Sequence, residues 1–228
     1  VPCIVIDCLK DELLPFGDVA KGKVRLFCTA ELKFVVLARM YFDPILDALT
    51  THPWHTPIAI GIDPHSMWTQ LCQRLQAVST DVLAGDIAGQ EFTIPPQFLD
   101  LFIEFIDAIA PLPGREGNVR RNLATSLFRV IHVLADSVYF TSKGQGSGTG
   151  PTALFASFSS WALHLVCFRL RAADYNAKRL SELPLTDRDF HTHVAKTFMG
   201  DDSVVASRLP FAFDQLTMAE DCRNFGMF

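Results

Sequence analysis

Met199-Gly200-Asp201-Asp202 puts two adjacent carboxylates at a glycine turn between the strand-like runs VAKTFM and SVVAS. A β-hairpin over residues 194–199 and 203–207 would expose both acids at its tip. Two acids held together repel unless a cation lies between them, and hard carboxylate oxygens are the ligands that Mg²⁺ and Mn²⁺ prefer. The competing reading is a solvated turn, because Gly and Asp are common turn formers. A further acid, Asp86, ends the short run DVLAG, which reads as a buried strand, and Glu91 follows it. Lys21, Lys23 and Arg25 alternate through KGKVRLF and would share one face of an extended strand. Such a face either attracts an anion or blunts an exposed sheet edge.

Other chemistries fit less well. Residues 143–151 carry Gly144, Gly146, Gly148 and Gly150, freeing backbone N–H groups to approach a nucleotide or template. A flexible linker is the alternative, but an apolar helix over about 152–173 follows at once. The string is neither GxxxxGK[ST] nor a dinucleotide-binding GxGxxG. Ser147 lacks the GxSxG elbow of a hydrolase. His191 and His193 have no third soft ligand nearby in sequence and read as solvated histidines in a loop. Arg115, Arg120 and Arg121 form a basic cluster that reads as a solvated face.

The elements that must position these groups follow from periodicity. Apolar residues at helical spacing predict helices over 31–49 and from Pro64 onward, and Pro95-Pro96 opens a helix that buries Phe98, Phe102 and Phe105. A loop over 111–117, a helix over 119–134 and a strand over 137–141 come next. With 228 residues, 49% of them hydrophobic, the chain can bury a sizeable core, and its net charge of −5 excludes a uniformly basic coat but not a local basic channel. The six cysteines show no CxxC pair and read as reduced thiols in an intracellular setting. No run reaches the roughly 18 uninterrupted apolar residues of a membrane span, and with Lys10, Asp11 and Glu12 near the start no cleaved signal is expected there. The chain is therefore expected to be soluble or held at membranes by partners.

The order of basic strand, acid-tipped strand, Gly-rich loop with helix, and Gly-Asp-Asp hairpin resembles the palm of viral RNA-dependent RNA polymerases, most closely the picornavirus-like group. Lys10-Asp11-Glu12 with KGKVRLF looks like the fingers motif that grips the incoming triphosphate, which implies that role for Lys10, Lys23 and Arg25. Gly61-Ile62-Asp63-Pro64 with Trp68 resembles the GxDP…W segment ahead of the palm. Asp86 and Glu91 fall on the two acids of DxxxxD. GQGSGTGPTALFAS resembles the GxPSGxxxTxxxNS loop and helix, carrying over Ser147, Gly148 and Thr152, with Gly144 and Gly146 in the same template-side loop. Met199 to Asp202 stands where the family usually has YGDD.

The resemblance implies an α/β (α+β) right-hand palm, with an antiparallel sheet packed on helices and partial fingers. Residues 1–78 would be partial fingers, and 79–228 a palm with a helical insertion at about 95–135. It implies two Mg²⁺ ions, or Mn²⁺, held by Asp86 and Asp201 with Asp202 as accessory acid. RNA template, primer, NTPs and other viral replication proteins would be the partners, in host cytoplasm at membrane-associated replication complexes. Glu91 and Ala156 depart from the family's Asp and Asn, so half of its ribose-sensing pair is missing, and sensing would be weaker or rebuilt from Glu91, Ser147 and Thr152. By spacing from Asp202, 210–224 is a helix and the family's general-acid lysine, primer grip and thumb fall past Phe228. The chain is thus expected to be an excerpt, inactive alone. A non-catalytic palm-like binding module and a reverse transcriptase palm remain alternatives.

Overall fold

The structure, a computed structural model, describes residues 3–141, 143–146, 148, 150–178 and 183–227. In chain order the first elements are β1 (Cys3–Leu9), α1 (Phe16–Ala20), β2 (Leu26–Ala30), α2 (Leu32–Thr51), α3 (Pro64–Gln76), β3 (Val82–Asp86) and α4 (Gln90–Thr93). There follow α5 (Gln97–Ile109), α6 (Gly114–Phe128), β4 (Val130–Leu134), β5 (Ser137–Phe140) and α7 (Thr152–Lys178). The chain continues with α8 (Asp187–His193), β6 (Val194–Met199), β7 (Asp202–Ser207) and α9 (Gln215–Asn224). Two compact units form, the first from residues 1–44 and 94–152 and the second from 45–93 and 153–228, so the division is not a single cut near residue 78.

The first unit carries a four-stranded sheet in the order β2-β1-β4-β5, in which β1 runs antiparallel to β2 and parallel to β4. Alternation along β1 buries Cys3, Val5 and Asp7 and exposes Ile4 and Ile6. Helix α5 buries Phe98, Leu99, Phe102 and Ile106, with the Phe102 ring stacked on Phe42 at 6.2 Å. Asp107 joins α5 to α6 by accepting from Arg120 at 2.8 Å and Arg121 at 2.7 Å, so two members of the expected solvated basic cluster are paired.

Two expectations fail in this unit for local reasons. Lys21, Lys23 and Arg25 do not share a strand face. Gly22 turns the chain at φ +65°, the Lys23 N–H bonds Asp18 O at 3.0 Å, and β2 begins only at Leu26, where Leu9 offers it a pairing partner. The helix expected over 119–134 is instead α6 followed by β4, and most of the expected loop over 111–117 is the start of α6. Val130, Ile131 and Val133 are β-branched and stiff at χ1, and the parallel ladder from β1, with Cys3 opposite Val130, gives them a strand to join.

The second unit holds the antiparallel sheet β3-β7-β6. Helix α7 has the length and apolarity of a membrane span, with mean hydropathy 1.4, yet 61% of that window is buried inside the fold, as in a core helix. Arg171 on α7 ties down α9 by gripping the buried Asp221 carboxylate at 2.8 and 3.0 Å. Strand β3 is not buried as expected, since Val82 is 44% exposed and the strand alternates between exposed and half-buried positions. His191 and His193 sit in the last turn of α8, not in a loop.

Candidate active site

The hairpin β6–β7 forms as its sequence dictates, with Met199 paired to Asp202 and a two-residue loop of Gly200 and Asp201 between them. Gly200 takes φ +67°, and Asp201 has no positive φ, the combination of a type II′ turn with glycine at its first central position. On the other side of β7, β3 runs antiparallel in a register that ends with Asp86 opposite Asp202. The Ile87 N–H then bonds Asp201 O at 3.2 Å. Pairing thus brings an acid from a distant stretch of chain to the Gly-Asp-Asp tip.

Electrostatics report that juxtaposition. The Asp86 carboxyl, though exposed, is raised above the ordinary carboxylate value, first by partial desolvation, then by the charges of Asp201 and Asp202, a hydrogen bond with Asp201, and the charge of Glu91. Such a set of oxygen donors raising one another's cost of ionisation fits a hard divalent cation, which would remove the repulsion. Glu91 itself lies exposed in the single turn of α4. Beside Asp86 runs a cleft of about 410 Å³ whose lining includes Gly85, His164, Ser203 and Gln215.

A hydrogen-bond clamp absent from the sequence reading holds the turn. Gly200 N–H donates to Ser157 Oγ at 2.8 Å, while Ser160 Oγ donates to Gly200 O at 2.6 Å. Ser157 Oγ in turn donates to Ala153 O at 2.7 Å. Ser160 accepts from the buried Gln90 Nε2 at 2.7 Å, and the same Gln90 nitrogen donates to Ala156 O at 3.3 Å. One turn further along α7, the His164 ring donates through Nδ1 to Ser160 O at 2.7 Å and packs on Phe198 at 4.7 Å. Burial pushes that ring down to about 4. Ser157, Ser160 and His164 stand at i, i+3 and i+7, a polar stripe on one face of an apolar helix that periodicity alone displays.

The residues expected to meet the triphosphate and those of the glycine-rich loop belong to the first unit. Lys10 pairs with Glu12 at 3.1 Å, Arg25 reaches the same carboxylate at 3.6 Å, and Lys23 lies 3.8 Å from Asp18. Lys10 N–H also bonds Arg25 O at 2.9 Å, so these two cations are drawn together by the β1–β2 ladder and Lys23 is not. Gly144 N–H bonds Ile94 O at 2.9 Å, Thr152 Oγ1 approaches Gly146 O at 3.5 Å, and Gly148 passes over Cys28 with φ +75°. Ser147 lies outside the described residues. Asp63 of the GIDP segment caps α3, accepting from His65 N–H at 3.0 Å and Ser66 Oγ at 2.6 Å.

Known proteins resemble this chain along its length. A replicase polyprotein of acute bee paralysis virus is 29% identical over 211 residues, which cover 90% of this chain and 11% of the polyprotein. A genome polyprotein of human hepatitis A virus genotype IIA is 28% identical over 151 residues, covering 66% of this chain and 7% of the polyprotein. The chain therefore spans about a tenth of the relatives it matches. Among solved structures, the Sicinivirus 3Dpol RNA-dependent RNA polymerase superposes with a TM-score of 0.76 at 23% identity, covering 98% of this chain and 44% of that one, a likeness of fold. The family model described as viral RNA-dependent RNA polymerase matches residues 1–228, and the chain belongs to that family, in its picornavirus-like part.

Proposed function

We propose that this chain supplies the palm acids and part of the fingers of an enzyme that copies an RNA template, extending a primer with NTPs during viral replication. The observation that carries the reading is the β3–β7 register, which sets Asp86 opposite Asp202 beside the Gly200 turn. Asp86 and Asp201 would hold two divalent ions, Mg²⁺ or Mn²⁺, with Asp202 as accessory ligand. When bound, such ions lower the pKa of the primer 3′-hydroxyl and neutralise the leaving pyrophosphate. The serine clamp on Gly200 keeps the turn, and with it the two acids, in one geometry. Lys10 and Arg25 would meet the triphosphate, Arg25 with the fork that suits phosphate, and Lys23 would add charge from the adjoining turn. Ser147, Thr152 and the glycines 144, 146 and 148 would face template and nucleotide. The first unit is read as fingers and the second as palm, and the site of action as membrane-associated replication complexes in host cytoplasm, with other viral replication proteins as partners.

The test is primer extension by the full-length polymerase that contains this segment. Asp86→Asn and Asp201→Asn should each lower the rate by roughly 10²-fold or more, the scale of losing one preorganised electrostatic group. Extension at the wild-type rate by Asp201→Asn would remove the catalytic reading and leave the palm-like binding module.

A further inference from the structure

A second cluster of metal-ligating side chains lies in the first unit. Cys28 on β2, Asp7 on β1, His132 on β4 and Tyr139 on β5 supply one residue from each strand of the four-stranded sheet. Register makes the row, with Asp7 opposite Cys28 and His132 opposite Tyr139. Asp7 and His132 lie on the buried face, whose other members on β1 and β4 include Cys3, Val5 and Val130, all fully buried. His132 Nδ1 is 2.9 Å from Asp7 Oδ1 and 4.0 Å from Cys28 Sγ. The ligand atoms of Asp7, Cys28 and His132 all lie within 4.8 Å of one another. Tyr139 donates to Asp7 Oδ2 at 2.5 Å, and its ring stacks on His132 at 4.8 Å, which fixes both the carboxylate and the imidazole.

From this geometry we infer that Asp7, Cys28 and His132 bind one Zn²⁺ ion that staples β2, β1 and β4 together, with a water as fourth ligand. Thiolate, imidazole and carboxylate are the three donor types zinc takes in proteins. Bond lengths of about 2.0–2.3 Å at tetrahedral angles separate ligand atoms by roughly 3.3–3.7 Å, and the distances here bracket that range. His132 Nε2 is buried with no hydrogen-bond partner, so the ring's polar engagement is through Nδ1, the nitrogen facing Asp7 and Cys28. Tyr139 serves as the outer hydrogen bond that orients a ligating carboxylate. On binding, the thiol proton and the proton shared by His132 and Asp7 leave to solvent as Zn–S and Zn–N bonds form. The site uses none of the groups assigned to polymerisation.

The test uses the reduced 228-residue chain, freed of metal and titrated with Co²⁺ and then Zn²⁺. Expected is a thiolate-to-cobalt charge-transfer band that saturates at one equivalent of Co²⁺, with the intense visible bands of a four-coordinate ion, both abolished by Zn²⁺. Cys28→Ser and His132→Gln should lose the band, while Cys72→Ser and Asp201→Asn keep it. X-ray absorption of the zinc-loaded wild-type chain should show a single sulfur ligand, a readout that needs no variant to fold. No charge-transfer band in the wild-type chain, its survival in a folded Cys28→Ser, or a sulfur count other than one would overturn the assignment. Retention in Asp201→Asn separates this site from the polymerase acids, whose failure in primer extension would leave the cobalt result untouched.

Discussion

At the scale of single residues, the acids depend on neighbours that perform no chemistry. Ser160 bridges Gly200 O and the buried amide of Gln90, so Ser160→Ala would take the side-chain donor from the Gly200 carbonyl and leave the Gln90 amide nitrogen with only its longer bond to Ala156 O. Buried polar groups stripped of a partner cost about 1–3 kcal/mol each. We expect Ser160→Ala to lower the stability of the chain by roughly that amount in urea denaturation. In the full polymerase it should lower kcat more than it raises the KM for NTP, because the turn loosens while the triphosphate grip is untouched. An unchanged kcat would mean that the hairpin holds its geometry without the clamp. Glu91 makes a different prediction. It stands exposed beside the acids, and Ala156 offers only its backbone, whose carbonyl is already bonded by Gln90. If Glu91 senses the ribose 2′-hydroxyl, Glu91→Ala should cut the preference for ribo- over deoxyribonucleotides by roughly tenfold, about one charge-assisted hydrogen bond. Discrimination that survives the substitution assigns sugar selection elsewhere.

At the scale of elements, two glycines serve for different reasons, and substitution separates them. At Gly200 a Cβ would meet nothing within 4 Å, so only the φ of +67° opposes a side chain. At Gly148 a Cβ would stand 2.0 Å from Cys28 O in addition to φ +75°. Gly200→Ala should therefore cost roughly 1–2 kcal/mol and Gly148→Ala roughly 2–4 kcal/mol. Urea midpoints in the reverse order would contradict the close approach of the loop to β2. The same local physics decides what the sequence displays. The hairpin and the helices α2, α3, α5 and α7 are legible because period-2 and period-3.6 patterns sit between Gly and Pro punctuation. Strand β4 is not, since VIHVL satisfies either period and a ladder with β1, remote in the chain, chooses between them. The acids were legible from residue type and order. The partners of Gly200 were legible only as a polar stripe on α7, because a buried serine is indistinguishable from a surface one until the helix face is known. The Asp7–Cys28–His132 row was invisible, as three strands that come together only in the fold supply it.

At the scale of the molecule, pH should act on the second unit through groups of mostly one sign. Burial holds His164 at about 4, so its neutral ring belongs to the folded state. The stability this represents is complete above the unfolded value of about 6.5 and is lost as pH falls toward 4. Asp187 is held low by its hydrogen bonds with Arg169, and Asp189 and Asp214 by the backbone N–H groups they accept from at helix starts. Each contributes stability that is present above the unfolded carboxylate value and lost as pH falls below it. Asp86 runs the other way: its raised carboxyl takes up a proton early and relieves repulsion as pH falls. It is one exposed group screened by solvent, and the others outnumber it. All three tryptophans, Trp54, Trp68 and Trp161, lie in this unit, so tryptophan fluorescence reads its unfolding alone. Urea midpoints by fluorescence should hold steady near neutrality, begin to fall below about pH 6.5 and fall further below about pH 4. His164→Gln should shrink the first of those two steps to what His191, also held low by burial, contributes, and leave the second. A wild-type midpoint that stays level between about pH 6.5 and 4 would mean that the ring beneath the Gly200 clamp is not held neutral by the fold, and that the clamp tolerates a charge at its base.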